Sequence, residues 1–202
     1  MTSMKCRLLA IFATVGLSAC VSAPTHYYTL VPTANDARAS SAPAFQFEMQ
    51  PVLIPVQVDQ PQVVVRLNSG ALSILETERW SAPLADEFHD ALANQMELRL
   101  GTRNLEGLPK AAGSPVISLQ TDVRRFDSLL GRYALIDVVW SLSRRFDTEK
   151  RRSLTCSSTL RQPAGGQVQD VIMAHQQVIA QLATVIAGTA RKWAQDPGVG
   201  CP

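Results

Sequence analysis

The sequence predicts a single α/β domain in which a mixed or largely antiparallel sheet is covered by two main helices, near residues 82–100 and 167–195. Several short segments alternate apolar and polar residues, which is typical of strands with one buried face. Two longer segments repeat apolar residues three and four positions apart, which is typical of helices that pack on a sheet. About 180 residues follow the N-terminal leader described next, and this length suits one domain.

The first 19 residues have the parts of a secretory signal peptide. Lys5 and Arg7 precede an apolar run from Leu8 to Leu17, and small residues follow the run. The run is about ten residues long, whereas a membrane span needs roughly 20. We therefore expect residues 1–19 to be removed on export.

Leu17-Ser18-Ala19-Cys20 resembles the lipobox of bacterial lipoproteins, in which the cysteine thiol receives diacylglycerol and the peptide is cut just before it. We expect Cys20 to be the lipid attachment site; the alternative is an ordinary signal peptide with a cysteine near its end. An Asp after the lipidated cysteine is the familiar signal for retention in the inner membrane, and here Val21 follows. The sequence thus predicts an outer-membrane location facing the periplasm. Residues 20–26 would be a tether of about 20 Å at most, and residues 27–202 the folded domain.

The leader also accounts for the excess of positive charge. The chain has 19 basic and 17 acidic residues, and the leader holds Lys5 and Arg7 but no acid, so residues 20–202 carry 17 of each. Nucleic-acid binding needs several uncompensated Lys or Arg residues, so we expect no nucleic-acid partner. We also expect no second apolar run long enough to span a bilayer, which leaves the lipid as the only attachment to the membrane.

Strand signals begin directly after the tether. Residues 27–30 form a short apolar segment, and residues 45–49 alternate with period two. Residues 52–56 are expected to continue that second strand. Residues 63–75 then predict a hairpin, in which Gly70 permits a positive φ at the turn.

The first helix is expected to begin with Ser81 as its N-cap and Pro83 in its first turn. Gly101 marks its end. Helical spacing places one set of side chains on the buried face: Leu84, Phe88, Ala91, Leu92, Gln95 and Met96. It places the acidic and amide side chains in water: Asp86, Glu87, Asp90, Asn94 and Glu97.

Three segments resemble the PqiC-like family of ABC-transport auxiliary lipoproteins. They are Tyr27-Tyr28-Thr29-Leu30, the stretch from Val58 to Arg66, and Trp80-Ser81-Ala82-Pro83-Leu84, where Val58 and Gln60 replace the usual Leu and Arg. The resemblance implies a periplasmic accessory to an ABC-type system that moves lipids between membranes through an MCE-domain protein. It implies no catalytic residues and no cofactor.

The same stretch suggests where partners bind. Pro61 lacks an amide donor, which suits an exposed sheet edge, and such an edge can accept a strand from another chain. We therefore expect Pro61, Gln62 and Arg66 to lie at an interface with the transporter or with copies of this protein. For Arg66 an ion pair is the alternative.

The C-terminal half predicts an antiparallel meander followed by a long helix. Alternating residues in 117–123, 134–142 and 154–160 indicate three strands. The helix carries an apolar stripe from Val168 to Trp193 in which His175 is one of two polar residues. No second ligand lies at metal-site spacing from it, so a hydrogen-bonded core histidine is favoured over a metal site.

Two cysteines remain after the leader and the lipidated residue. Cys156 falls on the apolar side of the last strand, and Cys201 lies past the final helix. The periplasm is oxidising, which favours a disulfide between them. The alternative is a buried Cys156 and a free Cys201 thiol.

Four arginines crowd the turn between the last two strands: Arg144, Arg145, Arg151 and Arg152. They suit anionic headgroups or an acidic partner, but a solvated turn partly neutralised by Asp147 and Glu149 is the favoured interpretation.

The sequence holds no nucleophile elbow, phosphate-binding glycine loop or zincin motif, so we expect no enzyme. The favoured function is docking for a lipid transporter. A lipid-binding carrier and an assembly lipoprotein for an outer-membrane barrel are the alternatives.

Overall fold

The computed structural model describes residues 23–33, 41–146, 150–196 and 198–202. Its described part is one α/β unit built from two mixed sheets and two helices. The elements in chain order are β1 His26–Tyr28, β2 Gln46–Met49, β3 Gln62–Arg66, β4 Leu72–Trp80, α1 Leu84–Leu100, β5 Val116–Leu129, β6 Tyr133–Arg145, β7 Arg152–Pro163 and α2 Val168–Gln195.

The larger sheet has the strand order β2-β5-β6-β7, and β5, β6 and β7 form the predicted antiparallel meander. Its inner face is apolar because alternate residues of each strand point to the core, as with Ile136, Val138 and Trp140, which are fully buried. β2 adds to this sheet in parallel with the start of β5. Residues 52–56 were expected to continue β2, but this is wrong. Only Leu53 bridges to Asp122 there, since the chain turns away at Pro55.

A β-bulge in β5 changes which of its residues face the core. The register with β6 shifts between Val123 and Arg125. From Ile117 to Val123 the buried positions are odd-numbered, and Phe126 and Ser128 are the core-facing residues after the shift. An extra residue in one strand reverses the alternation in this way.

The smaller sheet has the order β1-β4-β3. β3 and β4 form the predicted hairpin, and β1 runs parallel to β4. The turn does not use a positive φ at Gly70. Instead, the Asn68 side-chain oxygen accepts hydrogen bonds from the amides of Gly70 and Ala71, each at 3.0 Å. The Asn68 side chain thus stabilises the turn, which was expected to depend on a positive φ at Gly70.

α1 ends at Gly101 as predicted, in the left-handed conformation with a φ of 67°. Its N-cap is Pro83 and not Ser81, and no side chain caps the helix there. Glu87 was expected to face water, and this is also wrong, because it is 4% exposed. The Ser81 hydroxyl donates to its carboxylate instead of to the helix backbone.

α2 packs along α1 and across the inner face of the larger sheet. Its stripe is buried as predicted, from Val171 through Ile179 and Ile186 to Trp193. By length and composition alone this helix could span a membrane, contrary to the expectation that no such run follows the leader. More than half of its most apolar segment is buried inside the domain, as is usual for a core helix.

The C-terminal tail is held by a disulfide between Cys156 in β7 and Cys201, whose Cα atoms are 5.6 Å apart. Cys156 lies on the buried side of the strand, as its alternation predicted. The bond therefore returns the end of the chain, past α2, to the outer strand of the larger sheet.

We predict that Cys201→Ser lowers the free energy of unfolding by up to about 4 kcal/mol, because the closed loop spans 45 residues. Urea unfolding of the oxidised protein and the variant measures the difference. Mass spectrometry of the unreduced protein after alkylation is the direct check. Two alkylated thiols would contradict the bond.

Candidate functional site

The entry of the chain into the domain is fixed by Glu78 of β4. Its carboxylate is 3.0 Å from His26 Nδ1 and accepts a hydrogen bond of 2.6 Å from the Tyr28 hydroxyl. Burial, followed by this bond to Glu78, raises the pKa of Tyr28 to about 12. The bonds from Tyr28 and then His26 lower the pKa of Glu78. The carboxylate therefore stays ionised and holds β1 against β4.

Immediately after β1, the chain is bound by the buried carboxylate of Glu87. Its Oε2 accepts from the Thr29 hydroxyl and from the Leu30 amide, both at 2.8 Å. From α2, Gln176 donates to the Thr29 carbonyl at 3.1 Å. Both helices thus contact the short segment that follows the tether.

Cys20 itself, the predicted lipid attachment site, and the whole predicted signal peptide lie outside the described residues. Of the predicted tether, residues 23–26 are described, and His26 is already the first residue of β1.

Arg66 makes an ion pair, which was the alternative to an interface role. Its guanidinium is 2.8 Å from Asp127 Oδ1, and Arg125 contacts the other oxygen at 2.5 Å. Burial alone would raise the pKa of Asp127, but the bonds from Arg66 and then Arg125 bring the pKa below its usual value. Arg66→Glu would place a second carboxylate next to that of Asp127 and so destabilise the domain. A loss of association in this variant would therefore not by itself place Arg66 at an interface.

β3 is the outermost strand of its sheet, as predicted, but its free side is not an open edge. The strand contacts β5, and Val63, Val64 and Val65 are buried. A partner strand has no access there. The sequence did not predict this burial, because a run of β-branched residues is found both in strands buried on two faces and in edge strands.

Pro61 and Gln62 remain accessible at the start of β3. Pro61 is exposed, and Gln62 is half-buried and donates to Glu76 at 3.3 Å. Pro61 lines a groove of about 410 Å³ that opens beside the end of β4. The other lining residues are Asp59, Gln60, Trp80, Ser81, Ala82 and Pro83. We call this the Pro61 groove.

The arginine-rich turn borders a second, polar groove of about 430 Å³ on the outer face of the larger sheet. Arg145 and Arg151 line it, and Arg151 donates to the Ser143 hydroxyl at 2.6 Å. At its far side Lys110 pairs with the buried Glu48 at 2.6 Å. Asp147 and Glu149, the acids expected to neutralise the turn, lie outside the described residues.

His175 is a core residue, as the sequence favoured. It is fully buried, stacks on Phe126 at 3.9 Å between ring centroids, and its Nε2 is 2.9 Å from the Ser128 hydroxyl. Burial lowers its pKa to about 3, although the charge of Asp127 opposes the shift. The ring is therefore neutral at physiological pH. Within the described ranges no group of three or more His, Cys, Asp or Glu side chains is placed to hold a metal ion.

Together these features define a small α/β domain with a firmly held N-terminal entry segment and surface grooves. A family model described as the ABC-type transport auxiliary lipoprotein component matches residues 28–187. The chain belongs to this family, which confirms the resemblance seen in the sequence. The family is one of transport accessories.

Two solved structures share the fold. One is an uncharacterized protein with 14% identity and a TM-score of 0.64, covering 82% of this chain and 98% of its own. The other, from Xanthomonas campestris, has 18% identity and a TM-score of 0.62, covering 85% and 98%. At such identities the likeness concerns the fold alone. No curated protein matches the sequence.

We predict that His175→Gln removes part of the pH dependence of stability. The unfolded chain protonates His175 near pH 6.5, but the folded domain does so only near pH 3. Because the unfolded state binds more protons between these values, the free energy of unfolding rises with pH there, by about 1.4 kcal/mol per unit.

Urea unfolding at several pH values between about 4 and about 6 measures this slope. His175→Gln should lack it, whereas His89→Gln, at a partly exposed position, should keep it. Equal slopes for His175→Gln and the unsubstituted chain would contradict the assignment.

Proposed function

We propose that this protein is an outer-membrane lipoprotein that acts as a non-catalytic docking component of an ABC-type system moving lipids between membranes. Its proposed partners are the MCE-domain protein and the transporter subunits, with copies of itself as a second option. Membership of the auxiliary lipoprotein family, over residues 28–187, is the single observation that carries the proposal. The lipobox at Cys20 and the Val21 that follows it support the outer-membrane location.

The interior of the domain supports docking over a carrier role. Large side chains fill the space between the sheets and helices, among them Trp140, Phe88 and Met96, which are fully buried. Protein interiors are close-packed, so an acyl chain could enter this core only if these side chains rearranged. A partner would then recognise the surface, and the Pro61 groove is the place we propose, with Pro61 in its wall and the neighbouring Gln62 as contact residues.

The anchor gives the first test of this proposal. Cys20→Ser should abolish labelling by radioactive palmitate and release the protein from membranes, because a domain without its acyl chains has little to hold it there. Val21→Asp serves as the matched variant, since it should keep the label and move part of the protein to the inner membrane. Unchanged labelling of Cys20→Ser would end the lipoprotein assignment.

Photo-crosslinking in intact cells tests the partner. A photoreactive amino acid at Gln62 should capture an MCE-domain or transporter subunit, identified by mass spectrometry. The same residue at Gln177, exposed on α2, should not. Capture of a barrel-assembly protein at Gln62 would favour the assembly alternative. Phospholipid that co-purifies with the domain after gentle extraction would favour the carrier.

A further inference from the structure

The tip of the β3–β4 hairpin exposes an apolar surface. Leu67 is 61% exposed, Leu72 42% and Ile74 47%. We call these three residues the hairpin patch. Leu53 and Val56, at 56% and 83%, belong to the neighbouring segment that borders the same groove as Leu72. Leu72 and Ile74 alternate with more buried residues, so both lie on the exposed face of β4, and large apolar side chains exposed together on one face mark an interaction surface.

We propose that the hairpin patch is a second membrane contact, whose apolar side chains enter the lipid interface beside the acyl anchor. The inference rests on the lipid attachment at Cys20 proposed above. It goes further by fixing which face of the domain lies against the bilayer.

The register of β1 gives the direction from which the tether arrives. β1 runs parallel to β4, with His26 opposite Glu78 and Tyr28 opposite Trp80. A chain that enters β1 therefore comes from the side of β4 on which Leu72 lies. If the chain before β1 keeps this direction, a lipid at Cys20 would approach the bilayer from the side of the hairpin patch.

The lengths of the two segments agree with this placement. Cys20 is six residues before His26, a span of at most about 20 Å. Leu72 is six residues before Glu78 along β4, again about 20 Å. The tether is thus long enough for Cys20 to lie level with the hairpin tip.

The backbone of the tip is suited to a lipid interface, where unpaired amides and carbonyls are costly. The Leu67 amide donates to the Ala71 carbonyl at 2.9 Å, and Asn68 satisfies the next amides as described above. Arg66 donates to the carbonyls of Asn68 and Ser69, each at 3.4 Å. The turn therefore presents leucine side chains while its own polar groups are largely paired.

A weak insertion is sufficient because the acyl chains already hold the protein at the surface. Transfer of exposed apolar area from water to the acyl region is favourable. Tethering raises the effective concentration of the patch at the bilayer, so even a weak affinity of the patch for lipid would keep it in contact with the membrane. The contact would limit the rotation of the domain about its tether.

Fluorescence quenching by brominated lipid tests the contact. The lipidated full chain is reconstituted in vesicles of phosphatidylethanolamine and phosphatidylglycerol with dibrominated acyl chains, and its emission is compared with that in unbrominated vesicles. The native Trp80, Trp140 and Trp193 are buried and give the background. The fluorescence added by Leu72→Trp should be lost to the bromines. Leu67→Trp is the second variant, in case one substitution disturbs the hairpin.

Leu108→Trp is the matched control, because Leu108 is 55% exposed and lies at the other end of β5. The loop that holds Leu108 is hydrogen-bonded to Phe47, which pairs with Ile117 near the start of β5. The hairpin instead contacts the end of β5, where Arg66 forms an ion pair with Asp127. Ten residues of β5 separate these positions, about 33 Å.

Quenching at the hairpin but not at Leu108→Trp is the expected result. No quenching at either hairpin position, in protein whose Cys20 is acylated by mass spectrometry, would overturn the contact and leave the anchor standing. Equal quenching at all positions would also overturn it, because the domain would then lie on the bilayer without a preferred face. Unmodified Cys20 would overturn both proposals.

Discussion

The position of the segment that follows β1 depends on the buried carboxylate of Glu87. A buried charge is tolerated only when hydrogen bonds replace its water. Here the donors come from Thr29 and Leu30 directly after β1, and from Ser81 before α1. Moving the entry segment away from α1 would leave the carboxylate unsatisfied, which is more costly than the loss of an ordinary hydrogen bond. Hydrogen bonds therefore join the start of the domain to both helices and to β4.

The joint between the two sheets depends on the bulge in β5. Beyond it, Phe126 turns into the core, where its ring meets Trp80 edge-on at 6.1 Å and stacks on His175. Asp127 turns toward Arg66 of the smaller sheet. Trp80 ends β4 and His175 lies on α2, so one irregularity in one strand brings both sheets and the long helix together.

Sequence periodicity could predict the elements that bury one regular face. The meander, the hairpin and α2 each repeat their apolar residues over many turns or strand pairs, and register follows from that repetition. Of the candidate site residues, Cys156 could be placed on the buried side by the same reasoning. The burial of Glu87 could not be predicted. Helical spacing gives the direction of its side chain, but it does not show which distant segment packs against that side of the helix. Besides the nearby Ser81, its partners Leu30 and Thr29 are 57 and 58 residues away in sequence. The division into two sheets, the covered side of β3 and the pairing of Arg66 also depend on contacts distant in sequence, which alternation does not encode.

On the proposed orientation, β4 sets the distance between the membrane and the partner surface. The hairpin patch lies at its Leu72 end and the Pro61 groove at its Trp80 end, about 27 Å apart along nine residues. β4 is hydrogen-bonded on both sides, by β1 and β3, and this pairing resists bending. A partner seated in the groove would stand a fixed length above the bilayer, although the domain has only a short tether. On this orientation β4, which also pairs with β1, would keep the proposed lipid contact and docking groove apart, so that both could be occupied at once.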